Sequence, residues 1–336
     1  MSGHGGADAI KVIRAALLAN LAIAAIKFLA AYFSDSTATL AEAVHSLADS
    51  GNQALLFVGI RLSQKRDDER FPFGRAMERY FWPFIVALLL FTLGGAFALY
   101  EGVHKVGHPT PPDMTDFWSL RHGPLASLIV LGVSAGFESY SCSVALREFR
   151  EMSHGMKLKD ALFEVKDPTI PLVLMEDIAA LVGLSLAFAA VGLSALTGSG
   201  IWDAVGSILI GVLLTAVAIL IARDAHSLLL GERATPEVEH EVQRITEETP
   251  GVRGVTQLLT MHMGPEFVIV AMKVAFEPDS TLAQVEAATD EIERRVRAVV
   301  PSMKKIFIEP DSHGDLRGVG PRTARAAEAR EAPAAG

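Results

Sequence analysis

The stretch at residues 37–60 reads TATLAEAVHSLADSGNQALLFVGI. It is long and apolar enough to cross a bilayer as one helix, yet it carries His45 and Asp49. Four residues make about one helical turn, so the two side chains share a face. An Asp at the bilayer centre costs on the order of 3 kcal/mol on insertion scales. Residues kept there despite that cost face a bundle interior or a water-filled path, and they mark ion routes. An imidazole and a carboxylate at this spacing can hold one divalent metal, and they can equally serve as polar glue between helices.

Working outward, half of the 336 residues are hydrophobic and the mean hydropathy is +0.33, values of a membrane protein with a soluble part. Apolar segments of spanning length fall at 11–33, 37–60, 80–103, 124–146, 169–193 and 202–222, which predicts six transmembrane helices. The first run is too long for a signal peptide and lacks a cleavage site. The single cysteine, Cys142, falls in the fourth span and reads as a packed membrane residue; it excludes an intrachain disulfide and any multi-cysteine metal site. The net charge of −9 is concentrated toward the C-terminus and does not indicate a nucleic-acid partner.

Lys and Arg set the orientation. The 61–79 loop holds Arg61, Lys65, Arg66, Arg70, Arg75 and Arg79, and the 147–167 loop holds Arg147, Arg150, Lys157, Lys159 and Lys166. The alternate loops carry only Lys105 and Arg121, or neither type. Both termini are therefore expected on the cytoplasmic side, and the Ala-rich composition suggests a bacterial inner membrane.

The chain divides into a polar leader (1–9), a membrane domain (10–223), a linker (224–234), a soluble domain (235–311) and a tail (312–336) expected to be disordered. Within the soluble domain, PEVEHEVQRITEET is helical in period, and VTQLLTMHM and FVIVAMKVAF read as strands around Gly264-Pro265. Leu282, Val285, Ala288, Ile292, Val296 and Val299 recur at helical spacing, and KKIFIEP reads as a last strand. The order α-β-β-α-β predicts a small open sheet with helices on one face.

The fifth span, IPLVLMEDIAALVGL, places Glu176 and Asp177 side by side in hydrocarbon. At 1.5 Å per residue, His45 lies ~12 Å, Asp49 ~18 Å and Asp177 ~16 Å below the outer boundary. The three share a depth although their helices enter from opposite sides, which favours one common metal site. Adjacent helical residues point about 100° apart, so Glu176 and Asp177 cannot both face it squarely. Glu42 shares a side with His45 and reads either as part of an access route or as a helix-start acid. Asn52 offers a second-shell donor, and Gln53 reads as an interhelical hydrogen-bonding residue. Glu138 in the fourth span is either a proton site or the partner of a cation. Asp203 reads as an interfacial helix cap.

HSLAD in the second span, the loop RFPFGRAMERYFWPF, the six spans and the α-β-β-α-β domain together resemble the cation diffusion facilitators, dimeric transporters of zinc and related cations. The resemblance covers about residues 10–311. LMEDIAALVGL and TGSGIWDAVGSILIGVLL are most similar to the branch containing mitochondrial zinc-transporter-like proteins. It implies a central site built from His45, Asp49 and Asp177. The family's fifth-span His falls on Val173, which cannot bind metal, so Glu176 or water would complete the shell. Of the family's loop site only Asp68 remains, beside Phe71 and Arg75. The ligand positions of the soluble domain read Thr256, Glu286, Phe307 and Glu309, and His240, His262 and His313 do not match the pattern. That domain is thus expected to dimerise with little or no metal of its own.

The resulting expectation is proton-coupled efflux of a divalent cation, zinc first, by alternating access in a homodimer without a cofactor. Fewer nitrogen ligands leave manganese or iron(II) as an alternative cargo. A non-transporting scaffold or a regulatory heterodimer subunit is the rival of another class. No GxxxxGK[ST] loop and no HExxH are present, against direct ATP use and against an intramembrane metallopeptidase.

Overall fold

A computed structural model describes residues 13–14, 17–18, 20–26, 28, 37–65, 69–109, 124–153 and 166–311. Two compact units divide at Leu229 and Leu230. The N-terminal unit is helical: α1 (Thr37–Ser63), α2 (Glu78–Leu89), a π-helical turn (Leu90–Ala96), α3 (Phe97–Gly107), α4 (Pro124–Met152), α5 (Thr169–Thr197) and α6 (Ile201–Leu230). The described residues of the expected first span are helical.

Among the described residues, four helices are long and apolar enough to cross a membrane: Glu78–Gly107, Leu128–Met152, Thr169–Thr197 and Ile201–Leu230. α1 is 27 residues long, about 40 Å, but its apolar run is interrupted by His45, Asp49, Asn52 and Gln53. The helix α6 runs on through residues 224–230, beyond the expected end of the span. Ala225 and Leu228 are buried there, and the helix is followed directly by Gly231, a glycine with positive φ (90°).

The third span packs against α6 through glycines. A Cβ at Gly95 would stand 2.5 Å from Thr215 Oγ1 and 3.0 Å from its backbone N. One at Gly211 would stand 2.7 Å from the backbone N of Leu99. The two backbones thus meet where only glycine fits, and the π-turn Leu90–Ala96 contains Gly94 and Gly95 of this contact. The main core of the unit gathers Leu56 and Ile60 of α1, Val86 and Ala87 of α2, Ala145 and Phe149 of α4 and Ile170, Leu172, Val173 and Leu174 of α5.

The C-terminal unit comprises α7 (Pro236–Glu247), β1 (Val252–Gly264), β2 (Phe267–Phe276), α8 (Leu282–Val299) and β3 (Met303–Pro310). The sheet order is β1-β2-β3, with β1 antiparallel and β3 parallel to the central β2. Thr281 and Gln284 form a capping box at the start of α8. Along β2, Val268, Val270, Met272 and Val274 alternate inward and pack with Val242 and Ile245 of α7 and Ile292 and Val296 of α8. The opposite face carries Leu259, Ala271 and Phe307 in one cross-strand row, with Leu259 and Phe307 exposed.

Candidate metal centre

α5 brings its two acids to different neighbours. Glu176 is buried against α1: Asn52 Nδ2 donates to its Oε1 at 3.1 Å and Gln53 Nε2 to its Oε2 at 3.4 Å. Asn20 Nδ2 in turn donates to Gln53 Oε1 at 3.1 Å. A carboxylate that accepts from amide donors on both oxygens is held in one orientation. Asp177 is 2 % exposed and turns to α4, where Ser141 Oγ donates to its Oδ2 at 2.8 Å. Glu138 is buried one turn before Ser141 on the same helix. Adjacent helical residues point about 100° apart, and in these bonds Glu176 reaches α1 while Asp177 reaches α4.

Asn52 and Gln53 of α1 both reach Glu176, and positions 49 and 45 lie about one and two turns earlier on the same helix. The backbone of α1 includes Glu42, His45 and Asp49, and their side chains lie outside the described residues, as do Asp68 and His313. Among the described residues, no three His, Cys, Asp or Glu side chains are grouped to hold a metal. Val173, where the sequence resemblance places a histidine, is 0 % exposed and packed in the main core. Asp203 sits in the first turn of α6 and pairs with Lys105 at 3.0 Å rather than capping the helix.

Neither the Ser141–Asp177 bond nor a buried ion pair beside α5 was expected from the sequence. Arg79, at the start of the third span, pairs with Asp167, and Thr169 N donates to Asp167 Oδ1 at 3.2 Å. Both charged residues are buried. The acid just before a helix start was the available signal, because such residues accept from first-turn amides.

In the C-terminal unit, Thr256 donates to Asp311 at 2.8 Å, Glu309 pairs with Lys273 at 3.4 Å, and Phe307 is exposed. His262 is buried with its Nδ1 3.4 Å from the carbonyl of Gly264, and His240 lies exposed on α7. Outside the membrane helices, Arg244 bonds Glu241 and Glu248 and holds both carboxyls below the usual range.

Family models match both units of the chain. The cation efflux transmembrane domain matches residues 13–230, and the cation efflux protein cytoplasmic domain matches residues 234–313. A relative named proton-coupled zinc antiporter SLC30A9, mitochondrial, from Xenopus laevis is 31% identical over 80% of this chain and 46% of its own length. Metal tolerance protein C4 of Arabidopsis thaliana is 34% identical over 65% of this chain and 47% of its own. Magnetosome protein MamM of Magnetospirillum gryphiswaldense is 21% identical over 82% of this chain and 80% of its own. The chain spans about half the length of the first two relatives. With family domains matched over both of its units, the chain belongs to the cation efflux (cation diffusion facilitator) family of membrane transporters.

Proposed function

We propose that the chain is a proton-coupled exporter of a divalent cation, with zinc as the first cargo. The observation that carries this reading is Asp177, a carboxylate buried among apolar helices and oriented by Ser141. A buried acid at that depth is costly to insert and serves an ion path. Asp177 then joins His45 and Asp49 as the cargo's ligands, while Glu176, clamped by Asn52 and Gln53, aligns α5 with α1. Zinc entering the site displaces protons from the imidazole and carboxylates, and protons from the far side release it after the bundle rocks. The name of the Xenopus laevis relative favours zinc and proton coupling.

A second cargo reading has its own support. With Val173 buried in the core and Ser141 beside Asp177, the site is richer in oxygen than a zinc site with two imidazoles, which favours manganese or iron(II). A homodimer is supported by the exposed row Leu259, Ala271 and Phe307 on the helix-free face of the sheet. A bacterial inner membrane with cytoplasmic termini follows from composition and from the basic loops.

The test is flux into proteoliposomes containing only this protein, with zinc, manganese and iron(II) offered separately under an imposed proton gradient. Gradient-driven zinc flux supports the reading. Flux of none of the three metals overturns it in favour of a scaffold or a regulatory subunit.

A further inference from the structure

The third span ends in YEGVHKVGH, residues 100–108, and this end is remote in sequence from every residue assigned to the central site. His104 lies in the last turn of α3, and His108 follows its final residue, with φ −139° and ψ 65°. Both are exposed. Their ring centroids are 5.3 Å apart with planes 27° from parallel, and Tyr100 stacks on His104 at 6.2 Å in the same column.

We propose that His104 and His108 form a two-imidazole binding site for a divalent transition cation. One short segment presents both imidazoles, His104 from the last turn of α3 and His108 from its C-cap. A zinc ion about 2.0–2.1 Å from an imidazole nitrogen lies about 3.2 Å from that ring's centroid, so two rings sharing a tetrahedral zinc stand about 5.2 Å apart. The observed centroid separation of 5.3 Å is close to that figure.

The local charge also suits a cation. Lys105 is drawn to Asp203 at 3.0 Å and Glu101 at 3.5 Å, so two carboxylates face one ammonium beside the imidazoles. Two protein ligands leave waters to complete the shell, which makes the site weak and fast to exchange. Imidazole selects zinc, nickel or copper(II) over magnesium and calcium. Under the orientation proposed above, this is the end where cargo leaves; that role rests on the transport reading, whereas the binding does not.

Diethylpyrocarbonate labelling of the full-length, tag-free protein in detergent, read residue by residue by mass spectrometry, tests the site. Saturating zinc is expected to slow acylation of both His104 and His108 by roughly tenfold or more, because a metal-bound nitrogen has no lone pair to offer. Magnesium leaves both rates unchanged. His104→Ala is expected to abolish zinc protection at His108, and Asp177→Asn is expected to preserve protection at both. Unchanged rates in zinc overturn the site, as does full protection of His108 in His104→Ala. Protection without zinc flux in proteoliposomes leaves this site standing and removes the transport reading instead.

Discussion

Ser141 on α4 donates its hydroxyl to Asp177 on α5 at 2.8 Å, so the centre's fifth-span acid is oriented by the fourth span. The bond helps fix the orientation of the carboxylate. Ser141→Ala is therefore expected to weaken cargo binding by roughly 10- to 100-fold, the range seen when a ligand's supporting hydrogen bond is lost. Ser141→Thr keeps the hydroxyl and should retain most of the affinity. Calorimetric titration of both variants with zinc decides it; equal affinities for Ala and wild type would detach Ser141 from the centre.

Glu176 and Asp177 should part company under isosteric substitution. Asp177→Asn removes the charge from the proposed ligand and is expected to abolish flux in a protein that still folds. Glu176→Gln puts an amide where Asn52 and Gln53 both present N–H donors. One of those bonds becomes a donor–donor clash, with an expected loss of about 1–3 kcal/mol of stability and partial loss of flux. Near-normal transport in Asp177→Asn with complete loss in Glu176→Gln would reverse the two roles.

Much of this was legible in sequence because the two periods are clean. The alternation in FVIVAMKVAF became the alternately buried strand β2, and the acids in LMEDIAAL became buried residues of α5. Which way each acid points was not legible, since it depends on partners far away in sequence: Asn52 and Gln53 for one, Ser141 for the other. The end of α6 was missed for a local reason. DAHSLLL contains a polar start that reads as linker, yet it has neither glycine nor proline to stop a helix before Gly231.

Arg79 and Asp167 form a buried ion pair, and removing one partner strands the other charge. Arg79→Met is expected to cost about 3–5 kcal/mol, whereas Arg79→Met with Asp167→Leu should recover most of that loss. Thermal unfolding in detergent measures both. A double variant no more stable than the single one would show that the pair does more than neutralise itself.

The C-terminal unit offers a separate test. Leu259→Glu and Phe307→Glu place charge on the exposed row of the sheet without touching the core around Val270 and Ile292. Both are expected to weaken dimerisation while leaving zinc affinity of the membrane centre within about twofold of wild type, because the two sites belong to separate compact units. Analytical ultracentrifugation and calorimetric titration read the two effects. Tight stoichiometric zinc binding by residues 235–311 would instead make this unit a metal domain.

Val173 stands four residues before Asp177, so the two share a stripe of α5. It is packed in the main core, and a larger imidazole there overfills the space at a cost of about 1–3 kcal/mol. It also buries a polar ring that needs a partner. Val173→His is thus expected to lower the unfolding temperature in metal-free buffer. Zinc should restore more of that loss than manganese does, because imidazole suits zinc and a ligand that binds only the folded state stabilises it. Flux should shift in the same sense, toward zinc over manganese relative to wild type. If zinc raises the unfolding temperature of Val173→His no further than that of wild type, the introduced ring does not reach the cargo, and the vacancy is not at this position.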